Sequence, residues 1–78
     1  MIDTAFCCVT CAHAAEARTI ALTLVEERLA ASANVIPAIS SVFRWRGQIH
    51  EASEAIVILK TRFELADAVT TRVRALHG

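Results

Sequence analysis

Ala55-Ile56-Val57-Ile58-Leu59 is a continuous apolar run of strand length, with no alternation that would leave one face wet. Such a run is expected of a strand covered on both faces, so it marks the centre of a sheet. It is flanked by Glu54 and Lys60, where the strand should meet water.

Working back from this run, Arg46-Gly47-Gln48 is suited to a tight turn, because glycine takes a positive φ at little cost, and Ile49 then opens the return strand of a hairpin. Ahead of the turn, Phe43 and Trp45 alternate with Val42, Arg44 and Arg46, giving one aromatic face and one mostly charged face. This strand is expected to begin at Val35, after a break at Ser32-Ala33-Asn34. Pro37 has no N–H for a ladder and places the strand at an edge or on a bulge.

Earlier still, Ala17, Ile20, Ala21, Leu22, Leu24, Val25 and Leu29 fall on one arc at about 100° per residue, with Glu16, Thr19, Thr23, Glu26 and Glu27 opposite. Arg28 is the exception inside the arc. The pattern predicts a helix from His13 to Ala31 packed on the sheet. Ala5 to Thr10, small, apolar or β-branched, reads as the first strand. Beyond the central run, Thr61 is placed to cap a last helix that turns Leu65, Ala66, Val69, Val73 and Leu76 inward and Glu64, Asp67, Thr71 and Arg74 outward, with Gly78 just past its end.

The order β-α-β-β-α is that of an α+β, ferredoxin-like sandwich, an antiparallel sheet with two helices on one face, lacking its final strand. The absent strand would lie beside the first, leaving an apolar, cysteine-bearing edge open to another chain.

A chain of 78 residues holds one domain, and one this small buries only roughly 60% of its unfolded surface. With 55% hydrophobic residues it has more apolar surface than one small core hides, which predicts self-association. Eight Lys plus Arg balance eight Asp plus Glu, so no net field draws nucleic acid or an anionic membrane. The longest uncharged stretch, Leu29 to Phe43, is too short and too polar to span a bilayer. Met1-Ile2-Asp3-Thr4 shows no basic segment or apolar leader, so a cytoplasmic address is expected. Cys7, Cys8 and Cys11, an odd and crowded set, are expected to be reduced thiols.

Several segments, taken in order, resemble the CutA, or divalent-cation-tolerance, family. They are Val9-Thr10-Cys11, Leu24-Val25-Glu26-Glu27-Arg28-Leu29-Ala30-Ala31, Asn34-Val35-Ile36-Pro37 and Ser41-Val42-Phe43-Arg44-Trp45-Arg46-Gly47-Gln48-Ile49, followed by Glu54, Ile58-Leu59-Lys60-Thr61 and Leu76-His77. The resemblance implies a compact homotrimer of ferredoxin-like protomers whose long hairpin strands build an intersubunit sheet, and a role in tolerance of divalent metals, notably copper. Family members continue past the Leu-His pair into a Tyr-x-x-Pro-Glu-type segment, whereas this chain stops at Gly78, so a truncated single domain over residues 1–78 is expected. Many members also carry a cysteine where this sequence has Ser32, which removes one proposed thiolate ligand.

Cys8-x-x-Cys11 offers donors for a soft ion. In a regular strand, however, Cys8 and Cys11 point to opposite faces about 10 Å apart, and Cys7 and Cys11 share a face at about 13 Å. Neither pair chelates one ion there, and Cys7 and Cys8 are expected to be small buried hydrophobes. Cys11, at the strand end, is the metal candidate, with a carboxylate or histidine from another subunit as its partner. His13, His50 and His77 show no i, i+4 pairing and suit surface or capping positions. His77 joins the metal candidates through its place in the family-matching pair.

Trp45, with Arg44, is expected at an intersubunit cleft, where Trp and Arg are enriched, and Glu54 and Lys60 are expected to face the same cleft. With Gly47 and Gly78 as the only glycines there is no phosphate loop, and no nucleophile, base and orienter set is legible, so an enzyme is not expected. The leading expectation is a homotrimer that binds copper or another divalent ion weakly. The alternative is a PII-like regulatory trimer that binds a small anion or metabolite at its intersubunit clefts through Trp45, Arg44 or Lys60.

Overall fold

A computed structural model describes residues 3–77. The elements run β1 Thr4–Cys11, α1 Ala14–Glu26, β2 Ser32–Trp45, β3 Gln48–Arg62, a 3-10 turn over Phe63–Leu65 and α2 Ala66–His77. The apolar run from Ala55 does lie at the centre: β3 pairs antiparallel with β1 on one side and β2 on the other. The β-α-β-β-α order and the two helices of the ferredoxin-like protomer are therefore present. Gly78, expected at the end of the last helix, lies outside the described residues.

Alternation along β3 separates two environments. Ala55, Val57 and Leu59 are completely buried, and with Cys11, Ala17, Ile20, Leu24 and Val69 they form the core between sheet and helices. Ile56 and Ile58 point the other way and are only half-buried, so within this chain one face of the central strand is covered and not two. On that second face, Phe6 is 67% and Ile36 40% exposed. Cys8 is exposed and Cys7 half-buried, against the expectation that both are buried, because β1 is an edge strand and alternation turns Cys8 away from the helices. Among the described residues β1 pairs with β3 alone.

The helix expected from His13 to Ala31 stops at Glu26. Arg28 takes φ 60°, the left-handed geometry that ends helices, and the N–H groups of Leu29 and Ala30 both donate to the Leu24 carbonyl. Arg28 broke the apolar arc because it is not helical. The Ala31 N–H already donates to the Lys60 carbonyl, so β2 starts at Ser32, where a break was expected, and not at Val35. Leu22 and Val25, assigned to the buried arc, are 53% and 40% exposed, since the sheet and α2 cover only part of α1's apolar girth.

The register of β2 against β3 shifts between Ile36 and Ile39, a bulge at Pro37-Ala38, as an imino residue in an edge strand requires. Trp45 pairs with Gln48 across a two-residue turn in which Arg46 and Gly47 have φ 54° and 74°, the signature of a hairpin that follows the right-handed twist. Thr61 is not a helix cap: it lies inside β3, 3% exposed, and its hydroxyl donates to the Leu29 carbonyl. In α2 only Val69 of the expected stripe is buried, with Leu65, Ala66, Val73 and Leu76 half-buried.

Candidate metal centre

Cys11 is the last residue of β1, with its side chain in the core at 1% exposure. Two residues later His13 caps α1: its Nδ1 accepts from the Glu16 N–H at 3.2 Å, while the Glu16 Oε1 accepts from the Ala12 N–H at 2.9 Å. This reciprocal arrangement satisfies two donors at the strand-to-helix turn and folds the Glu16 carboxylate back over Cys11. His77, in the last turn of α2, arrives from the other end of the chain: Nε2 lies 2.9 Å from the Thr10 carbonyl and 3.9 Å from the Glu16 Oε1. One donor atom each from Cys11, Glu16 and His77 lies within 4.8 Å of the others.

The sequence singled out Cys11 and His77, and the fold brings them together. Glu16 was missed because helical periodicity places it on the outward face, and the available signal was the capping-box spacing from His13 to Glu16. A carboxylate or histidine was expected beside Cys11 from another subunit, and one of each stands beside it within the same chain.

A thiolate, a carboxylate and an imidazole suit a borderline divalent ion. Tetrahedral bond lengths of ~2.0–2.3 Å put donors about 3.3–3.8 Å apart, so the site closes on an ion with movements of roughly an ångström or less. Burial pushes the Cys11 thiol pKa up, and the nearby Glu16 charge adds to the shift. The thiol therefore keeps its proton at neutral pH, and a bound ion must displace it.

Beside this cluster a groove of about 460 Å³ runs along β1 and α2, lined among others by Cys7, Cys8, Val73, Arg74 and His77. The four residues expected at a shared cleft do not converge within one chain. Trp45 sits at the hairpin tip, 55% exposed, with the Arg46 guanidinium 4.5 Å from its ring centre and His50 edge-on. Arg44, exposed, alternates to the other face of the strand. Glu54 and Lys60 share the face away from the helices but lie six positions apart on β3, roughly 20 Å.

The family model described as CutA1 divalent ion tolerance protein matches residues 5–78. The mouse protein CutA is 45% identical over 69 residues, covering 88% of this chain and 39% of the mouse protein. The divalent-cation tolerance protein CutA of Thermus thermophilus is 46% identical over 61 residues, covering 78% of this chain and 59% of that protein. The chain thus spans less than two thirds of the length of each of these relatives. Among solved structures, CutA1 from Oryza sativa superposes with a TM-score of 0.91 at 34% identity, covering 97% of this chain and 70% of that one. CutA from Synechococcus elongatus complexed with a Bis-Tris molecule gives 0.88 at 28% identity, covering 99% and 70%. Relatives are named as chloroplastic in rice and periplasmic in Archaeoglobus fulgidus, so the family does not fix a compartment. Sequence, element order and superposition agree, and the chain belongs to the CutA1 divalent ion tolerance family.

Proposed function

We propose that this chain serves in divalent-cation tolerance as a homotrimer that binds copper or another divalent ion at Cys11, Glu16 and His77. The observation that carries this reading is the meeting, within 4.8 Å, of three donors of different softness drawn from a strand end, a helix start and a helix end. The trimer is supported by the apolar groups left uncovered on the sheet face away from the helices and along the hairpin, where Val42 is 65%, Phe43 45% and Ile49 66% exposed.

The test is a calorimetric titration with Zn(II), Cu(II) and Cu(I) on the wild type and on Cys11→Ser, Glu16→Gln and His77→Gln. Loss of a donor should weaken divalent binding by at least about tenfold, since even outer-shell partners of metal ligands are worth 10–100-fold. Equal affinity in Cys11→Ser and wild type would sink the assignment.

A second reading, a PII-like trimer that takes a small anion or metabolite between subunits, has one observation in its favour: the exposed Trp45 ring with Arg46 against it. Native mass spectrometry of gently purified protein separates the two by the mass of what stays bound.

A further inference from the structure

The His77 nitrogen nearest Glu16 is already engaged. Nε2 lies 2.9 Å from the Thr10 oxygen, and a carbonyl has no proton to give, so Nε2 carries the hydrogen, and in the tautomer with that single ring hydrogen Nδ1 is bare. A nitrogen that holds a hydrogen has no lone pair for a metal. The acceptor also has a particular position. The Phe63 N–H donates to the Asp3 carbonyl, so Asp3 turns its oxygen toward the chain that continues β3. The β1–β3 register then runs without interruption from Thr4 to Cys11. Carbonyl direction alternates along a strand, which turns the Thr10 oxygen the other way, onto the edge of β1 that pairs with no strand among the described residues. His77 therefore closes one carbonyl of a sheet edge that is unpaired among the described residues, from a side chain that also belongs to the donor cluster.

We propose that His77 is a two-position residue, which caps the Thr10 carbonyl when the site is empty and turns its Nε2 to the ion when Cys11 and Glu16 capture one. The inference rests on the metal reading and deepens it into a linkage. On capture, the ring hydrogen passes through solvent from Nε2 to Nδ1, so the ring stays neutral, the Cys11 thiol gives its proton to solvent, and the new bond is Nε2 to metal. The Thr10 carbonyl is released in the same event. By reciprocity, whatever hydrogen-bonds to Thr10 in place of His77 raises metal affinity.

Nitrogen-detected NMR of ¹⁵N-histidine protein, with His77 assigned by comparison with His77→Gln, reads the tautomer directly. In the metal-free protein His77 should show the hydrogen on Nε2. Saturation with Zn(II) should move it to Nδ1 and shift the unprotonated Nε2, with a simultaneous change at the Thr10 carbonyl carbon. Zn(II) bound at Cys11, seen in its Cβ shift, with His77 still protonated on Nε2 would overturn the two-position role and leave Cys11 standing as a metal ligand. No Zn(II) effect at Cys11 would overturn both.

Discussion

The Thr61 hydroxyl donates to the Leu29 carbonyl, joining the end of β3 to the chain just after α1. Thr61 is 3% exposed, so water cannot replace it. Thr61→Val keeps the shape and leaves a carbonyl without its partner, which costs about 1–3 kcal/mol. Thr61→Ser keeps the donor and loses only a methyl, and should cost about 1 kcal/mol. Denaturant midpoints of the two variants, at unchanged slope, check the order.

Arg72 grips Glu27 with two hydrogen bonds of 2.7 Å, tying α2 to the end of α1. Through these bonds and its charge, Arg72 holds the Glu27 carboxyl below its ordinary value, against a smaller opposing effect of burial. A depressed folded-state pKa means the stabilisation is fully present above the unfolded carboxyl's pKa and is lost as pH falls through the folded value. The pair is solvent-accessible, so its contribution is small and weakened by salt. Glu27→Gln should flatten the acid limb of the stability curve below the ordinary carboxylate range. An acid limb unchanged from wild type would refute the assignment.

What the sequence made legible was local chemistry. The Ala55–Leu59 run, the Arg46-Gly47 turn and the Pro37 bulge follow from periodicity, positive φ and a missing N–H, and each is where those forces put it. Thr61 misled because a threonine before Phe63-Glu64-Leu65 has cap spacing, while its actual partner is 32 positions away. Glu16 misled because periodicity describes where a helical Cβ points and not where a first-turn carboxylate folds back. The meeting of Thr10 with His77 spans 67 positions and depends on how α2 docks, which no local pattern encodes; His77 came to notice only through the family-matching pair.

Leu22 and Leu24 looked alike on the apolar arc and should now behave differently. Leu24 is completely buried and Leu22 is 53% exposed. Leu24→Ala should cost about 2–5 kcal/mol, a large part of the roughly 4–12 kcal/mol available to a domain of this size. Leu22→Ser should stay within about 0.5 kcal/mol, as surface changes usually do. Thermal melts at fixed protein concentration distinguish them, and equal losses would show that Leu22 is covered in the assembled protein.

Two of the three thiols should separate by rate. Cys8 is exposed, whereas Cys11 is buried and its pKa is raised, first by burial and then by Glu16. The thiolate is the nucleophile, so iodoacetamide at neutral pH should modify Cys8 well before Cys11, and Glu16→Gln should speed only Cys11. The same shift sets two pH dependences. A thiol pKa raised in the folded state gives stability that is present below the unfolded thiol's pKa and is lost as pH rises through the folded value. Metal capture runs in the opposite sense: it expels the Cys11 proton, so apparent Zn(II) affinity should rise about tenfold per pH unit while the thiol stays protonated. A titration between neutral pH and the ordinary thiol pKa checks this, and an affinity independent of pH there would show that Cys11 does not bind the ion as a thiolate.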